Sequence, residues 1–150
     1  MRSGEIIKTA ENYDIELIYL FGSQAREGLK YLEGKTVDID SCADLDLAVA
    51  FKKSPSEPMR IYGALFMEFS KIFEPFYIDL VFLHEMDTLF QYEIIKGVRI
   101  FERSGVVADE LEEKVMKRAE DVVVRKRILN REILEAIRDG YFEFEYRPGS

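Results

Sequence analysis

Histidine and cysteine are nearly missing from this chain, each occurring once, at His84 and Cys42, and tryptophan is absent. A single histidine excludes a multi-histidine zinc site, and a single cysteine excludes an internal disulfide. No apolar stretch follows Met1 that is long enough for a signal peptide or a membrane span, so the expectation is a cytoplasmic protein with no membrane contact. Positive charge is also short: 21 Lys and Arg stand against 29 Asp and Glu, a formal net charge of -8. General nucleic-acid binders gain affinity by neutralising phosphates with Lys and Arg, so bulk DNA or RNA is excluded as an expected partner. A Gly-x-x-x-x-Gly-Lys loop, internal repeats and low-complexity blocks are all lacking, which removes the usual support for an ATPase or kinase.

What is present is an ordinary globular composition. With 150 residues, 47% of them hydrophobic and 33% charged, the chain is expected to form one domain over 1–150, with its core at about 10–105 and a C-terminal helix and tail at 106–150. The organising stretch is 17–51. It contains the apolar strand Leu17-Ile18-Tyr19-Leu20-Phe21, then Gly22-Ser23-Gln24-Ala25-Arg26, and later Asp44-Leu45-Asp46 leading into Leu47-Ala48-Val49-Ala50-Phe51. A glycine ending a buried strand and a serine capping a helix leave backbone N–H groups free for an anion, so this turn reads as a phosphate site. Two aspartates separated by one residue project from the same face of a strand. Paired carboxylates on one face attract a divalent cation, magnesium or manganese, which takes one or two carboxylates plus substrate phosphates.

The remaining pattern supplies the frame. Ile6, Ile7 and Ala10 predict a helix over 4–13, and the almost unbroken apolar run 15–21 predicts a strand covered on both faces. A short helix is expected to start at Ser23 and stop near Gly28, followed over 29–43 by an extended loop or small hairpin. Ile61, Leu65, Phe66, Phe69 and Ile72 predict an amphipathic helix over 59–73 whose apolar stripe is core rather than a ligand pocket. Residues 76–83 predict a strand carrying Asp79, a carboxylate costly to bury unless a metal or partner compensates it. His84 just after it reads as an ordinary exposed or hydrogen-bonded side chain. A helix over 87–96, a strand over 98–101, and one long helix or two in series over 107–139 complete the series, with Gly140 as the stop. Within the last segment Arg125, Lys126, Arg127 and Arg131 form a basic cluster that reads as a solvated helix face. The tail 141–146 alternates aromatic and acidic residues after Phe142, as a half-buried strand does; it either folds back on its own domain or contacts another chain, and a homodimer is left open.

Gly22-Ser23-Gln24-Ala25-Arg26 together with Asp44-Leu45-Asp46-Leu47 resembles the Gly-Ser and Asp-x-Asp signatures of the nucleotidyltransferase superfamily, specifically the small MNT-type (minimal nucleotidyltransferase) proteins. The resemblance covers roughly 10–100, and Asp79 stands where that pattern places a third carboxylate. It departs from the pattern in one respect. Twenty residues separate Ser23 from Asp44, whereas the earlier pair Asp38-Ile39-Asp40 lies nearer the family spacing. Asp44 and Asp46 are chosen because a long apolar strand follows them, and a metal pair needs rigid support. The resemblance implies an α/β (α+β) nucleotidyltransferase fold, a small mixed sheet flanked by helices with a C-terminal helical segment. It implies transfer of a nucleoside monophosphate, AMP from ATP, to an acceptor hydroxyl. In that scheme Gly22 and Ser23 hold the triphosphate, Arg26 adds a phosphate contact, Asp44 and Asp46 bind magnesium, and Asp79 activates the acceptor through a second metal or as a base. Many proteins of this type are antitoxins paired with a HEPN-domain ribonuclease, some of which they inactivate by adding AMP to a tyrosine. Two other readings stand beside it: a small-molecule nucleotidyltransferase similar to aminoglycoside-modifying enzymes, and a non-catalytic protein that neutralises its partner by occlusion.

Overall fold

The computed structural model describes residues 2–140. Its elements are α1 (Ser3–Asn12), β1 (Ile15–Phe21), α2 (Ala25–Leu32), β2 (Leu45–Phe51), α3 (Pro58–Ile72), β3 (Ile78–Phe82), a 3-10 turn over Leu83–Glu85, α4 (Thr88–Ile95), β4 (Val98–Glu102) and α5 (Gly105–Arg138). The four strands make one mixed sheet in the order β3-β2-β1-β4. β1 runs antiparallel to both β2 and β4, whereas β3 returns parallel to β2 through α3. Among the described residues no helix is long and apolar enough to cross a membrane.

β1 is central, and all seven of its residues are buried, as a near-continuous apolar run requires. From Leu17 onward its side chains alternate strictly. Ile18 and Leu20 join the core formed with α1, α2 and α3, while Leu17, Tyr19 and Phe21 join the core under α4 and α5. A register shift between Ile15 and Leu17 inserts Glu16, so Ile15 lands on the same side as Ile18. The strand thus feeds two cores, one on each face of the sheet. α3 buries Leu65, Phe69 and Ile72, while Ile61 is partly buried and Phe66 lies at the rim.

α5 is one continuous helix, capped at its start by Ser104 Oγ, which accepts from Val107 N–H. Its first half is clamped to the sheet by a polar contact that the sequence pattern does not reveal. The buried Tyr19 hydroxyl donates to Glu112 Oε1 at 2.7 Å, and Arg99 on β4 reaches Glu112 at 2.9 Å and Asp109 at 3.1 Å. Burial, followed by the neighbouring Glu112 carboxylate, pushes the Tyr19 hydroxyl well above its ordinary range, so it stays a proton donor.

Two expectations need correction. α2 does not stop near Gly28 but continues to Leu32, because Gly28 faces inward and its missing Cβ leaves room for Leu45 and Leu20; a Cβ there would lie 2.7 Å from Leu45 Cδ1. Ser23 is not the cap of that helix. It lies in the turn before it, and Gln24 holds the N-cap position with no side-chain capping bond. Residues 33–44 form a loop, which decides between the loop and the hairpin expected there. The aromatic and acidic tail at 141–146 lies outside the described residues.

Candidate active site

The site is built where β1 ends. Gly22 has φ +75, a left-handed conformation that L side chains rarely adopt, and a Cβ placed on it would collide with Oδ2 of Asp46. Glycine is required here twice over, by the turn and by the carboxylate lying across it. Gly22, Ser23 and Arg26 are exposed. Among the described residues, the N–H groups of Ser23 and Gln24 find no backbone acceptor. These donors stand at the N-terminal end of α2, where the helix dipole also favours an anion.

β2 and β3 supply the carboxylates. Phe21 pairs with Asp46 across the antiparallel ladder, and Asp46 lies level with Asp79 across the parallel one. Because strand side chains alternate, Phe21, Asp46 and Asp79 share the face that α4 and α5 cover further along. Asp44 sits just before β2, exposed, and the adjacent Leu45 N–H donates to Tyr77 O at 2.7 Å, which anchors this entry to β3. Asp46 is half-buried. Burial raises its pKa, and the negative charges of Asp79 and Asp44 raise it further. The same Asp79 charge, after burial, raises the hydroxyl of Tyr62 on α3, which places that phenol within electrostatic reach of the site.

Asp79 is exposed, which corrects the argument that burial makes it costly. β3 is an edge strand, and the helical layer over this face reaches Val81 but leaves Asp79 open. Its place in the site rests on register with Asp46 instead. The alternative pair is elsewhere. Asp38 and Asp40 are exposed in the 33–44 loop, where Asp38 N–H donates to Glu27 Oε2 at 2.8 Å and Asp40 Oδ1 accepts from Cys42 N–H at 2.9 Å. His84 is exposed in the 3-10 turn.

Sequence reading also overlooks Gln24. It is buried, with Oε1 lacking a hydrogen-bond partner, directly behind the turn that carries Gly22 and Ser23. Nothing in its neighbours in sequence signals this.

The donor set fits a hard divalent cation in chemistry. Asp44, Asp46 and Asp79 offer only carboxylate oxygens, and Asp46, whose pKa is raised first by burial and then by the charges of Asp79 and Asp44, is a group whose ionised form a cation would stabilise. Among the described residues no three His, Cys, Asp or Glu side chains converge into a ready-made ion cage. A magnesium site completed by substrate phosphates does not need one.

Comparison with known proteins accords with this geometry. The family described as polymerase beta, nucleotidyltransferase, matches residues 4–105. No curated protein matches the chain significantly. Among solved structures, a toxin-antitoxin with AMP-PNP is 17% identical with a TM-score of 0.63, covering 89% of this chain and 99% of its own. A tri-AMPylated Shewanella oneidensis HEPN toxin in complex with an MNT antitoxin gives 17% identity and a TM-score of 0.60, over 89% of this chain and 96% of the other. An MntA-HpeT toxin-antitoxin mutant, in which two aspartates one residue apart are each changed to glutamate, gives 15% identity and 0.64 over 89% and 99%. At these identities the structures establish a shared fold, and the family match, which spans most of the chain, establishes membership: the chain belongs to the polymerase beta-type nucleotidyltransferase family.

Proposed function

We propose that this protein is a metal-dependent nucleotidyltransferase that moves AMP from ATP to a hydroxyl of a partner protein, acting as an MNT-type antitoxin toward a HEPN-domain toxin. The observation that carries the reading is the alignment of Asp46 with Asp79 on neighbouring strands, beside a glycine turn so tight that Gly22 lies against the Asp46 carboxylate. The similar solved structures support the partner, since they are toxin-antitoxin complexes, one of them a tri-AMPylated HEPN toxin with an MNT antitoxin. The similar toxin-antitoxin with AMP-PNP supports ATP as donor.

In the proposed reaction the acceptor oxygen forms a bond to the α-phosphorus of ATP as the bond from that phosphorus to the bridging oxygen breaks, and pyrophosphate leaves with the electron pair. The backbone donors at Ser23 and Gln24 hold the departing phosphates, with the Ser23 hydroxyl and the Arg26 guanidinium beside them. Asp44 and Asp46 would hold magnesium or manganese, with Asp79 as a further ligand. A bound ion supplies charge neutralisation on the phosphates and steadies the attacking and leaving oxygens. Asp79, exposed and level with Asp46, would activate the acceptor either through a second ion or as the base that takes its hydroxyl proton. A protein acceptor suits an exposed carboxylate at an edge strand, because the acceptor's own surface then closes the cleft.

Incubation with labelled ATP, magnesium and a cognate HEPN-domain protein is expected to transfer one or more AMP groups to a Tyr, Ser or Thr of that protein. Asp79→Asn is expected to stop transfer while the complex persists. Mass spectrometry of both proteins decides the matter. An unmodified partner that is nevertheless neutralised would replace catalysis with occlusion, and label on a small molecule or an RNA end alone would defeat the protein-acceptor reading.

A further inference from the structure

We propose that Phe90, in the first turn of α4, is the platform on which the base of the bound nucleotide stacks; this deepens the proposed function and rests on it. The groups already placed in the site, Gly22, Ser23, Arg26, Asp44, Asp46 and Asp79, suit phosphate or metal, and none offers a base a flat apolar surface. A base is joined to its α-phosphate by a single ribose, so its platform has to stand beside the carboxylates and not among them. Phe90 stands there. Its ring meets that of Phe21 edge-to-face, with centroids 5.8 Å apart and planes at 81°. Phe21 is the residue that pairs with Asp46 and precedes Gly22, so the aromatic pair borders both the carboxylates and the phosphate turn. An edge-to-face pair occupies at most one face of either ring. At least one face of Phe90 is therefore left free by Phe21, no other aromatic ring among the described residues takes it, and the residue is 39% exposed.

The helix fixes the ring and aims it. Asp87 caps α4, its Oδ1 accepting the Phe90 N–H at 2.8 Å, and the buried Gln91 Nε2 donates to Leu83 O at 2.9 Å. Ile94, one turn further along the side that carries Phe90, is fully buried against the sheet. Leu89 and Tyr92 line the groove between α4 and α5, so by helical spacing Phe90 lies on the flank turned away from α5. That flank adjoins Phe21 and, through it, the open part of the sheet face that carries Asp46 and Asp79. Tyr77 is the rival aromatic, 74% exposed and two residues before Asp79. It belongs to the acceptor's side, because the phosphate donors at Ser23 and Gln24 follow β1, and β2 separates β1 from β3. Stacking on a ring without polar atoms tolerates any base, so Phe90 supplies affinity and orientation rather than a choice between bases.

The test uses the full chain, with AMP-PNP and magnesium as one probe and inorganic tripolyphosphate and magnesium as the other. Phe90→Leu keeps apolar bulk against Phe21 but removes the flat ring, and Phe90→Ala removes both. Each is expected to lower calorimetric affinity for AMP-PNP by roughly five- to a hundredfold, the range for losing one stacked base, while tripolyphosphate affinity and circular dichroism match the wild type. Phe90→Trp is expected to keep the affinity. Because the chain has no tryptophan of its own, emission from this variant reports on the site directly, and it should change on adding AMP-PNP but not tripolyphosphate. Unchanged AMP-PNP affinity in Phe90→Leu overturns the platform, as does an equal loss for both probes, which would mean that α4 had shifted the phosphate turn. A loss in Tyr77→Ala in place of the Phe90 variants would move the base to the β3 edge. A wild-type chain that binds neither probe overturns the nucleotidyltransferase reading as well. AMP-PNP held through Phe90 by a chain that transfers no AMP keeps the platform and overturns catalysis alone.

Discussion

Two aspartate pairs with the same spacing lie close together in this chain, and the structure puts them in opposite physical settings. Asp38 and Asp40 lie in a loop between α2 and β2, flanking Ile39, which packs against the core. Backbone bonds there run inward: Glu27 receives the Asp38 N–H, and the Asp40 carboxylate receives the Cys42 N–H. Asp44 and Asp46 flank Leu45, which is fully buried at the start of β2, and no hydrogen bond among the described residues engages either carboxylate. In the first pair the Asp40 carboxylate is engaged by its own loop, whereas neither carboxylate of the second is engaged. Identical letters at identical spacing thus acquire different chemistry from the stiffness of the backbone beneath them and, at Asp40, from a local donor that already engages the carboxylate.

The largest expected effect concerns the answering cation. Asp44→Asn with Asp46→Asn should abolish manganese binding followed by calorimetry or relaxation, and a folded double variant with wild-type affinity would remove these residues from the metal site. A smaller effect follows from the charge itself. Asp46 has its pKa raised above its ordinary value of 3.8, so without metal the folded state is penalised once the group must ionise. Wild-type protein free of metal should therefore lose stability as pH rises from about 3.8 through the raised value. Asp46→Asn should lack that loss, so the gap between their urea midpoints should widen from acid to neutral pH; a constant gap would show that Asp46 ionises without penalty. The smallest effect belongs to the loop pair. Asp38→Asn with Asp40→Asn should leave metal affinity unchanged and cost at most about 1 kcal/mol, the scale of one exposed hydrogen bond. Loss of metal in this variant alone would reverse the contrast between the pairs.

How much of this was legible in the sequence depended on how local the determining forces were. β1 was legible because a strand buried on both faces has nowhere to put a polar residue except the bulge, where Glu16 sits with Arg103 4.0 Å away. The apolar stripe of α3 followed from helical spacing, whereas the spacing over 107–139 fitted one helix or two in series and left the continuity of α5 open. α2 was misread because a glycine usually weakens a helix, whereas Gly28 serves the contact with Leu45 and Leu20, which lie on strands outside the helix. The exposure of Asp79 was invisible for a similar reason: an apolar run with one carboxylate does not say whether its strand lies at the centre or the edge of the sheet. At the site, the glycine turn and the aspartates could be read from their order along the chain. The contact between Gly22 and Asp46 and the register of Asp46 with Asp79 depend on pairing between strands, which no local pattern encodes.

The strand order has a consequence for how the molecule assembles. β1 reaches β2 across the 23-residue connection 22–44, but reaches β4 only across the 76 residues 22–97. Closing the longer loop costs about 1 kcal/mol more in chain entropy if its interior is still unfolded, and that difference vanishes once β2, α3 and β3 have condensed within it. The economical route brings β1, β2 and β3 together first and adds β4 afterwards. Arg99 rides on β4 and Glu112 follows it, so the clamp that seats α5 closes last, and truncations after 97 should leave a collapsed three-stranded sheet that forms quickly but holds weakly.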